Sequence, residues 1–568
     1  MKKIKHIVLA SIMAASMLLG VACHKEEIIT EADVPDYSGY NHQFDFFGYH
    51  SAHDGFYSID GVKYDTGGRF LTAEQYQMYK DVGMTMFYPQ SILKIRGDKG
   101  SMRDYGEHAE ELAAEFYADR QADWDNLVKP EIDELMSIGI DKTILYDEDL
   151  SWLGLNEPNR YNETPEQGYD GREDEPLEDN RTDGEREARG LIGDHKDQFK
   201  TEAELDAQVE KLLSVYAGYP GVYGVCLADE PKNVWYQSYG DLYNSIKRVS
   251  EKNGWNLYIS YNLNPLNVTK LVYEQYYPYV EGTGGADPTT NKVKFEDGFA
   301  RYKQYIENFM ASMQPDYIRY DDYPLREGYL SSTYIPCLEY VAGVARDNNI
   351  DFHMVTQTFE MNSNGERSMR TLTESGAKWL NNMLLGFSVN EISYFTYYTR
   401  SENRTDGESF PDQGSFMTLY GKKTYVYDMM QEIMADNQRF APTVLQFKYK
   451  KSGIFTKPPL AHAAAHIQYM DHNVQTYDKV TSVSVNKECA MVNEMYDEEN
   501  KRYMYMAMNI VDPIYQGSTV YQTITLEFAS EYKYAVVYRD GEKAYYRLND
   551  SKLNIKAAPG EASFIIPF

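Results

Sequence analysis

Between residues 43 and 441 the chain alternates short apolar runs with longer stretches of helical periodicity. The runs are Phe44–Tyr49, Met84–Tyr88, Lys142–Tyr146, Tyr223–Glu230, Leu257–Asn262, Tyr317–Pro324, Phe352–Phe359 and Ile392–Tyr398. They are rich in β-branched and aromatic residues, as strands buried on both faces are. Between them, segments such as Thr201–Tyr216, Tyr239–Lys252, Phe295–Met313, Tyr334–Asp347 and Met369–Gly386 carry apolar residues at helical spacing. Strand-then-helix alternation predicts a parallel sheet of the α/β class, and eight repeats predict a closed (β/α)₈ barrel. An open doubly wound sheet is the alternative. It loses support because the chain has no G-x-G-x-x-G turn and no G-x-x-x-x-G-K-[ST] loop. After Ala441 the texture changes: Val480–Val485, Arg502–Met508, Val520–Leu526 and Tyr534–Tyr538 alternate or run β-rich, with turns between them. This predicts an antiparallel β-sandwich over 450–568.

The amino terminus lies outside this pattern. A basic start, Met1-Lys2-Lys3-Ile4-Lys5, precedes an apolar stretch from Ile7 to Leu19 and then Gly20-Val21-Ala22-Cys23. That is the grammar of a secretory signal over 1–22, too short to span a membrane. Cysteine after small residues resembles a bacterial lipobox, so Cys23 is the expected lipidation site and 23–42 a polar tether. His24-Lys25-Glu26-Glu27 resembles the tag of surface-exposed lipoproteins in Bacteroidetes-type bacteria. The expectation is an outer-membrane lipoprotein that faces outward and meets the membrane only through its lipid. Cys226, Cys337 and Cys489 are odd in number and widely spaced, which fits buried small residues and not a disulfide frame or zinc site.

Charge narrows the partners. A formal net charge of -31 argues against nucleic acid and anionic surfaces. The 52 tyrosines, apolar plates with a polar tip, suit wet clefts and sugars as well as ordinary packing. A long stretch at 150–198, rich in Asn, Asp, Glu, Gly and Arg, reads as an acidic loop inside the barrel domain.

Chemistry concentrates where the strands end. Asp229-Glu230-Pro231 closes the fourth run, and proline disfavours continuation. The other ends offer Asp147, Glu148 and Asp149, then Asn262 and Asn264, Asp321, Asp322 and Tyr323, Gln357 and Glu360, and Tyr397, Tyr398 and Arg400. Carboxylates, amides and rings without clustered His or Cys describe a carbohydrate site that needs no metal or organic cofactor. Glycosidic cleavage requires one carboxyl protonated and a second ionised.

On these residues the chain resembles the clan A glycoside hydrolases, the family-42-like and family-5-like (β/α)₈ enzymes, over about residues 43–440. The resemblance implies that Glu230, at the Glu of the clan's Asn-Glu-Pro motif, is the general acid. Asp229 replaces the Asn that donates to the sugar 2-hydroxyl, and an ionised Asp can only accept. Asp321 and Tyr323 fall at the His and Tyr positions of the clan's sixth-strand His-x-Tyr. The implied nucleophile is Glu360, three residues beyond Gln357. If Gln357 holds the pocket position instead, Asp322 or Asp321 is the second carboxylate, and the mechanism is inverting or substrate-assisted. Asn156-Glu157-Pro158 spells the motif in full, but no strand leads into it. Glu391 falls at the wrong end of its strand for catalysis. Tyr261, Trp235, Tyr397 and Tyr398 are candidate sugar platforms.

The expected function is hydrolysis of an extracellular poly- or oligosaccharide, with retention of configuration. The rivals are a non-catalytic surface glycan-binding lipoprotein with a degenerate barrel, and an adhesive protein that works through its sandwich.

Overall fold

The computed structural model describes residues 35–49, 56–59, 62–65, 72–88, 113–153, 201–231, 236–266, 294–363, 366–399, 414–418, 421–463, 465–517 and 519–568. The signal segment, Cys23, residues 154–198 of the acidic loop with Asn156-Glu157-Pro158, Trp235 and Arg400 lie outside the described residues.

The α/β part of the chain contains strands β1 (Asp45–Gly48), β2 (Phe56–Ile59), β3 (Val62–Asp65), β4 (Thr143–Leu145), β5 (Val222–Asp229), β6 (Tyr258–Asn262) and β7 (Tyr317–Asp321). It continues through β8 (Leu325–Arg326), β9 (Tyr329–Leu330), β10 (Asp351–Gln357), β11 (Met361–Ser363), β12 (Glu366–Met369) and β13 (Val389–Phe395). Between them run α1 (Ala73–Asp81), α2 (Ala113–Asp123), α3 (Lys129–Ser137), α4 (Glu148–Trp152), α5 (Glu202–Leu213), α6 (Tyr236–Asn253) and α7 (Phe295–Met313). The series ends with α8 (Tyr334–Asn348), α9 (Glu374–Gly386) and α10 (Tyr425–Val444).

Strands β1, β13, β10 and β7 form one parallel sheet, and β4, β5 and β6 another. A parallel bridge from Leu263 to Tyr320 joins β6 to β7, and one from Phe87 to Thr143 joins segment 84–88 to β4. The amides of Thr85 and Met86 donate to Phe46 O at 2.9 and 3.1 Å, which ties the same segment to β1. The result is a TIM-barrel-like α/β arrangement. Run 84–88 is held by single bridges and not by a ladder, which is why it forms no regular strand.

Side chains alternate between two faces of each strand. Phe47, Tyr49, Met86, Tyr88, Ile144, Cys226 and Val355 cluster on one face, with Tyr146 and Phe395 against them. The opposite face supplies Phe46, Leu145, Val225, Leu227, Tyr261, Tyr320 and Ile392 to the layer shared with the helices.

A charged group crosses the first face. Arg319 on β7 is fully buried and paired with Glu391 on β13. Its guanidinium also donates to Ser260 Oγ at 2.8 Å and to Tyr258 Oη, and lies 5.1 Å from the Phe47 ring centroid. Burial and Arg319 push His353 down to about 3, so the imidazole beside Glu391 is neutral. Arg319 thus ties β6, β7 and β13 together below the strand ends.

The carboxyl-terminal part holds β14 (Lys448–Lys457), β15 (Val480–Val485), β16 (Glu488–Asp497), β17 (Arg502–Asn509) and β18 (Gln522–Phe528). It ends with β19 (Tyr534–Arg539), β20 (Glu542–Arg547), β21 (Lys552–Ala557) and β22 (Ala562–Pro567). They form a six-stranded antiparallel sheet, β14-β16-β17-β22-β19-β20, and a three-stranded one, β15-β18-β21. Ala490, Val492, Tyr505, Ala507, Val537 and Ile565 face Ile524, Leu526 and Ile555 of the smaller sheet. The alternate residues Met491, Met495, Met504, Met506, Met508 and Ile566 join the core of the α/β part. Flexible methionines suit this uneven seam. Arg370 and Asp512 pair across it at 2.8 Å, and Asn493 Nδ2 donates to Gly386 O at 2.9 Å.

Removing one partner of a buried ion pair strands the other in low dielectric, at a cost of about 3–5 kcal/mol. Arg319→Met is expected to lower the unfolding free energy on that scale in a urea titration. A loss below about 1 kcal/mol would show that Glu391 finds another partner.

Candidate active site

Strand parity decides which carboxyls meet. On β7, Arg319 and Asp321 share one face, with Tyr320 and Asp322 on the other. On β5 the parity would turn Asp229 away, because Cys226 already faces inward three residues earlier. The ladder with β6 corrects this. It pairs Cys226 with Ser260, then Ala228 with Tyr261 and Asp229 with Asn262, leaving Leu227 as the extra residue of a β-bulge. Ser151 Oγ donates to the bulge carbonyl of Cys226 at 3.2 Å. The bulge turns Asp229 to the same side as Cys226.

Glu230 follows with φ of 48°. That left-handed conformation costs a non-glycine residue about 1–2 kcal/mol, and such strain collects at functional sites. Two contacts hold it. The Glu230 amide donates to Asn262 O at 2.8 Å, and Tyr305 Oη donates to Pro231 O at 3.0 Å.

Asn262 is the hub of the site. Its Nδ2 donates to Asp229 Oδ1 at 3.3 Å and to Asp321 Oδ1 at 3.2 Å. Its buried Oδ1 has no hydrogen-bond partner among the described residues. Asp321 also bonds Glu230 and Tyr323 through their side chains. Asp229, Glu230, Asn262, Asp321 and Tyr323 therefore form one connected cluster at the carboxyl ends of β5, β6 and β7. Half-buried Tyr323 and Phe395, with ring centroids 5.6 Å apart, flank it.

Electrostatics follow from this crowding. Asp229 and Glu230 are open to solvent, whereas Asp321 is only 3% exposed. At the floor of a cleft, water can touch a side chain whose surroundings are otherwise mostly protein. Desolvation, then the charge of Asp229, raises Glu230 to about 7, against the bond to Asp321. Asp321 is raised well above the carboxylate range by burial and by the charges of Glu230 and Asp229. Asp229 is raised by desolvation but held down by the Asn262 amide and the Arg319 cation. Among the described residues no group of His, Cys, Asp and Glu has metal-holding geometry.

The other sequence candidates fall elsewhere. Asp322 faces α8, buried, pushed up to about 6 by desolvation, with Oδ1 unpaired among the described residues. Glu360 bonds Thr371 Oγ1 and is 8% exposed; it is not brought to the cluster. Gln357 spends its amide on the backbone of Leu325 and Phe359, bracing two strand ends. Tyr397 is fully buried against Tyr79 and Phe416, a packing position and not a platform. Tyr398 bonds Gln75, and Tyr261 stacks on Tyr317 at 4.6 Å, both within the core. Asp147 and Asp149 pair with buried Arg120, and Asp147 also accepts from Tyr216 at 2.8 Å. Asn264 meets Tyr305. Sequence reasoning missed Arg319 and Tyr305; a lone arginine inside the apolar run 317–321 was the available signal for the first.

No protein-family model and no curated protein matches the chain. Among solved structures, an endo-β-1,4-mannanase from Thermotoga petrophila aligns over 92% of this chain and 99% of its own, at 12% identity and TM-score 0.37. A GH27 β-L-arabinopyranosidase from Geobacillus stearothermophilus covers 94% and 97%, at 9% identity and TM-score 0.43. An Anoxybacillus α-amylase covers 94% and 99%, at 10% identity and TM-score 0.40. These neighbours bear the names of glycoside hydrolases. The likeness is loose, and the chemistry below is drawn from the residues themselves.

A carboxyl with a raised folded pKa binds its proton more tightly folded than unfolded. Its folded state is then favoured most below the unfolded pKa, and loses ground as pH rises through the folded one. Asp321→Asn removes a carboxyl that burial and the charges of Glu230 and Asp229 raise in the folded state. The variant is expected to melt above wild type at pH 8 and to lose that advantage at pH 5. A variant that melts below wild type at pH 8 would contradict the reading.

Proposed function

We propose that this protein is a glycoside hydrolase acting on a poly- or oligosaccharide, with Glu230 as the general acid. The reading takes the parallel runs as one closed (β/α)₈ barrel, supported by the links from β1 through segment 84–88, β4, β5, β6, β7, β10 and β13 back to β1. Barrel enzymes work at the carboxyl ends of their strands, where this cluster lies.

One observation carries the proposal: a carboxyl raised to about 7, open to solvent, hydrogen-bonded to a second carboxyl and next to a third. Glycosidic oxygen is a poor leaving group until it receives a proton. An acid with a pKa near neutrality keeps that proton at working pH and still releases it readily. Neighbouring carboxylate charge favours the oxocarbenium-like transition state. The buried, unpaired Asn262 Oδ1 is an acceptor of the kind a sugar hydroxyl satisfies. The half-buried Tyr323 and Phe395 offer apolar surface to the CH face of a pyranose.

Glu230→Gln keeps the shape and removes the donated proton. On a panel of plant and host polysaccharides, wild type is expected to release sugar, and the variant to lose about 10²–10⁴-fold in rate. The wild-type rate should fall as pH rises past neutrality, where the acid loses its proton. Undiminished release by Glu230→Gln would overturn the assignment of the acid. Glycan binding by both proteins without release would favour a binding protein.

A further inference from the structure

Three carboxyls meet in the cluster, and two are bonded to each other. The Glu230 and Asp321 carboxyls lie close enough to hydrogen-bond, and because two ionised carboxylates cannot do so, the bond needs one proton held between them. Asp229 stands outside that bond. Its Oδ1 accepts from Asn262 Nδ2 at 3.3 Å, and the same nitrogen reaches Asp321 Oδ1 at 3.2 Å.

Two oxygens on one nitrogen at those lengths are at most about 6.5 Å apart. Inverting glycosidases separate their carboxyls by roughly 6.5–9.5 Å to admit a water, and double displacement uses roughly 5–5.5 Å. The spacing favours double displacement. Asp229 also has the environment of the ionised member. Desolvation raises it, but the amide donor and the Arg319 cation beneath both favour its negative charge, and the bulge presents it to solvent. Glu360, bonded to Thr371, is not drawn into this network.

Resting on the hydrolase reading, we propose that Asp229 is the nucleophile of a double displacement and that the Glu230–Asp321 pair is its proton donor. In the first step a carboxylate oxygen of Asp229 bonds the anomeric carbon. The glycosidic C–O bond breaks, its electron pair stays on the leaving oxygen, and the shared proton moves to that oxygen. In the second step water attacks the anomeric carbon and its proton returns to the pair. The ester bond to Asp229 breaks and restores the carboxylate. Asn262 is then a positioning residue that holds both carboxyls at the required span.

The test uses the intact protein and an activated aryl glycoside of a sugar that wild type cleaves, with fluorine in place of the 2-hydroxyl. A covalent glycosyl-enzyme should accumulate one-to-one by intact mass, and peptide mapping should place the sugar on Asp229. Asp229→Gly should lose at least about a thousandfold in rate on the unfluorinated substrate, and azide should restore turnover as a glycosyl azide. Mapping needs only wild type, so a poorly folding variant does not blunt the test. A label on Glu360 or Asp321, or turnover without any adduct, overturns the assignment and leaves hydrolysis standing. A wild type that cleaves no glycoside overturns the hydrolase reading and this inference with it.

Discussion

The ion pair between Arg319 and Glu391 sets the terms for everything above it. A guanidinium buried completely inside a parallel sheet is tolerable only when a carboxylate and several acceptors neutralise and saturate it. Here Glu391 on β13 neutralises it and Ser260 and Tyr258 on β6 accept from its two terminal nitrogens, and the pair spans strands far apart in sequence. The register of β6, β7 and β13 follows from it, because a slip of one residue would move Arg319 to the helix layer. Its positive charge also reaches upward and favours the ionised form of Asp229.

On that floor the site assembles acid upon acid. The bulge at Leu227 turns Asp229 inward, and the left-handed turn at Glu230 seats the second carboxyl against the third, Asp321. Like charges in one cleft cannot all ionise, so the cluster holds a proton near neutrality. This is unfavourable for folding and useful for proton donation, a usual trade at catalytic sites. The links back to the chain are specific: a bulge residue, a strained residue before proline, and one asparagine that answers two carboxylates.

Much of this was legible in the sequence, because periodicity and strand ends are local signals. Alternating runs and helices announced the α/β body, and Asp229-Glu230-Pro231 and Asp321-Asp322-Tyr323 marked where carboxyls would gather. What could not be read was orientation. Nothing in Val225-Cys226-Leu227-Ala228 announces an extra residue, yet that residue decides whether Asp229 faces the cleft or a helix. Asp321 and Asp322 are alike in composition and opposite in direction, and only Arg319, two residues before Asp321, hinted at the parity. Counting from strand ends brings Glu360, Gln357 and Tyr397 to the pocket. The chain bends past those ends, so that they meet Thr371, the Leu325 backbone and Tyr79 instead.

The central claim is that Glu230 keeps its proton near neutral pH because its surroundings desolvate it and the charge of Asp229 lies beside it. Carbon-13 NMR titration of protein labelled at the glutamate side-chain carboxyl tests it most directly, with the Glu230 signal identified by its loss in Glu230→Gln. The expected midpoint is near 7, moving down toward the ordinary glutamate range in Asp229→Asn. A Glu230 midpoint at or below the ordinary glutamate value, about 4.3, would contradict the account.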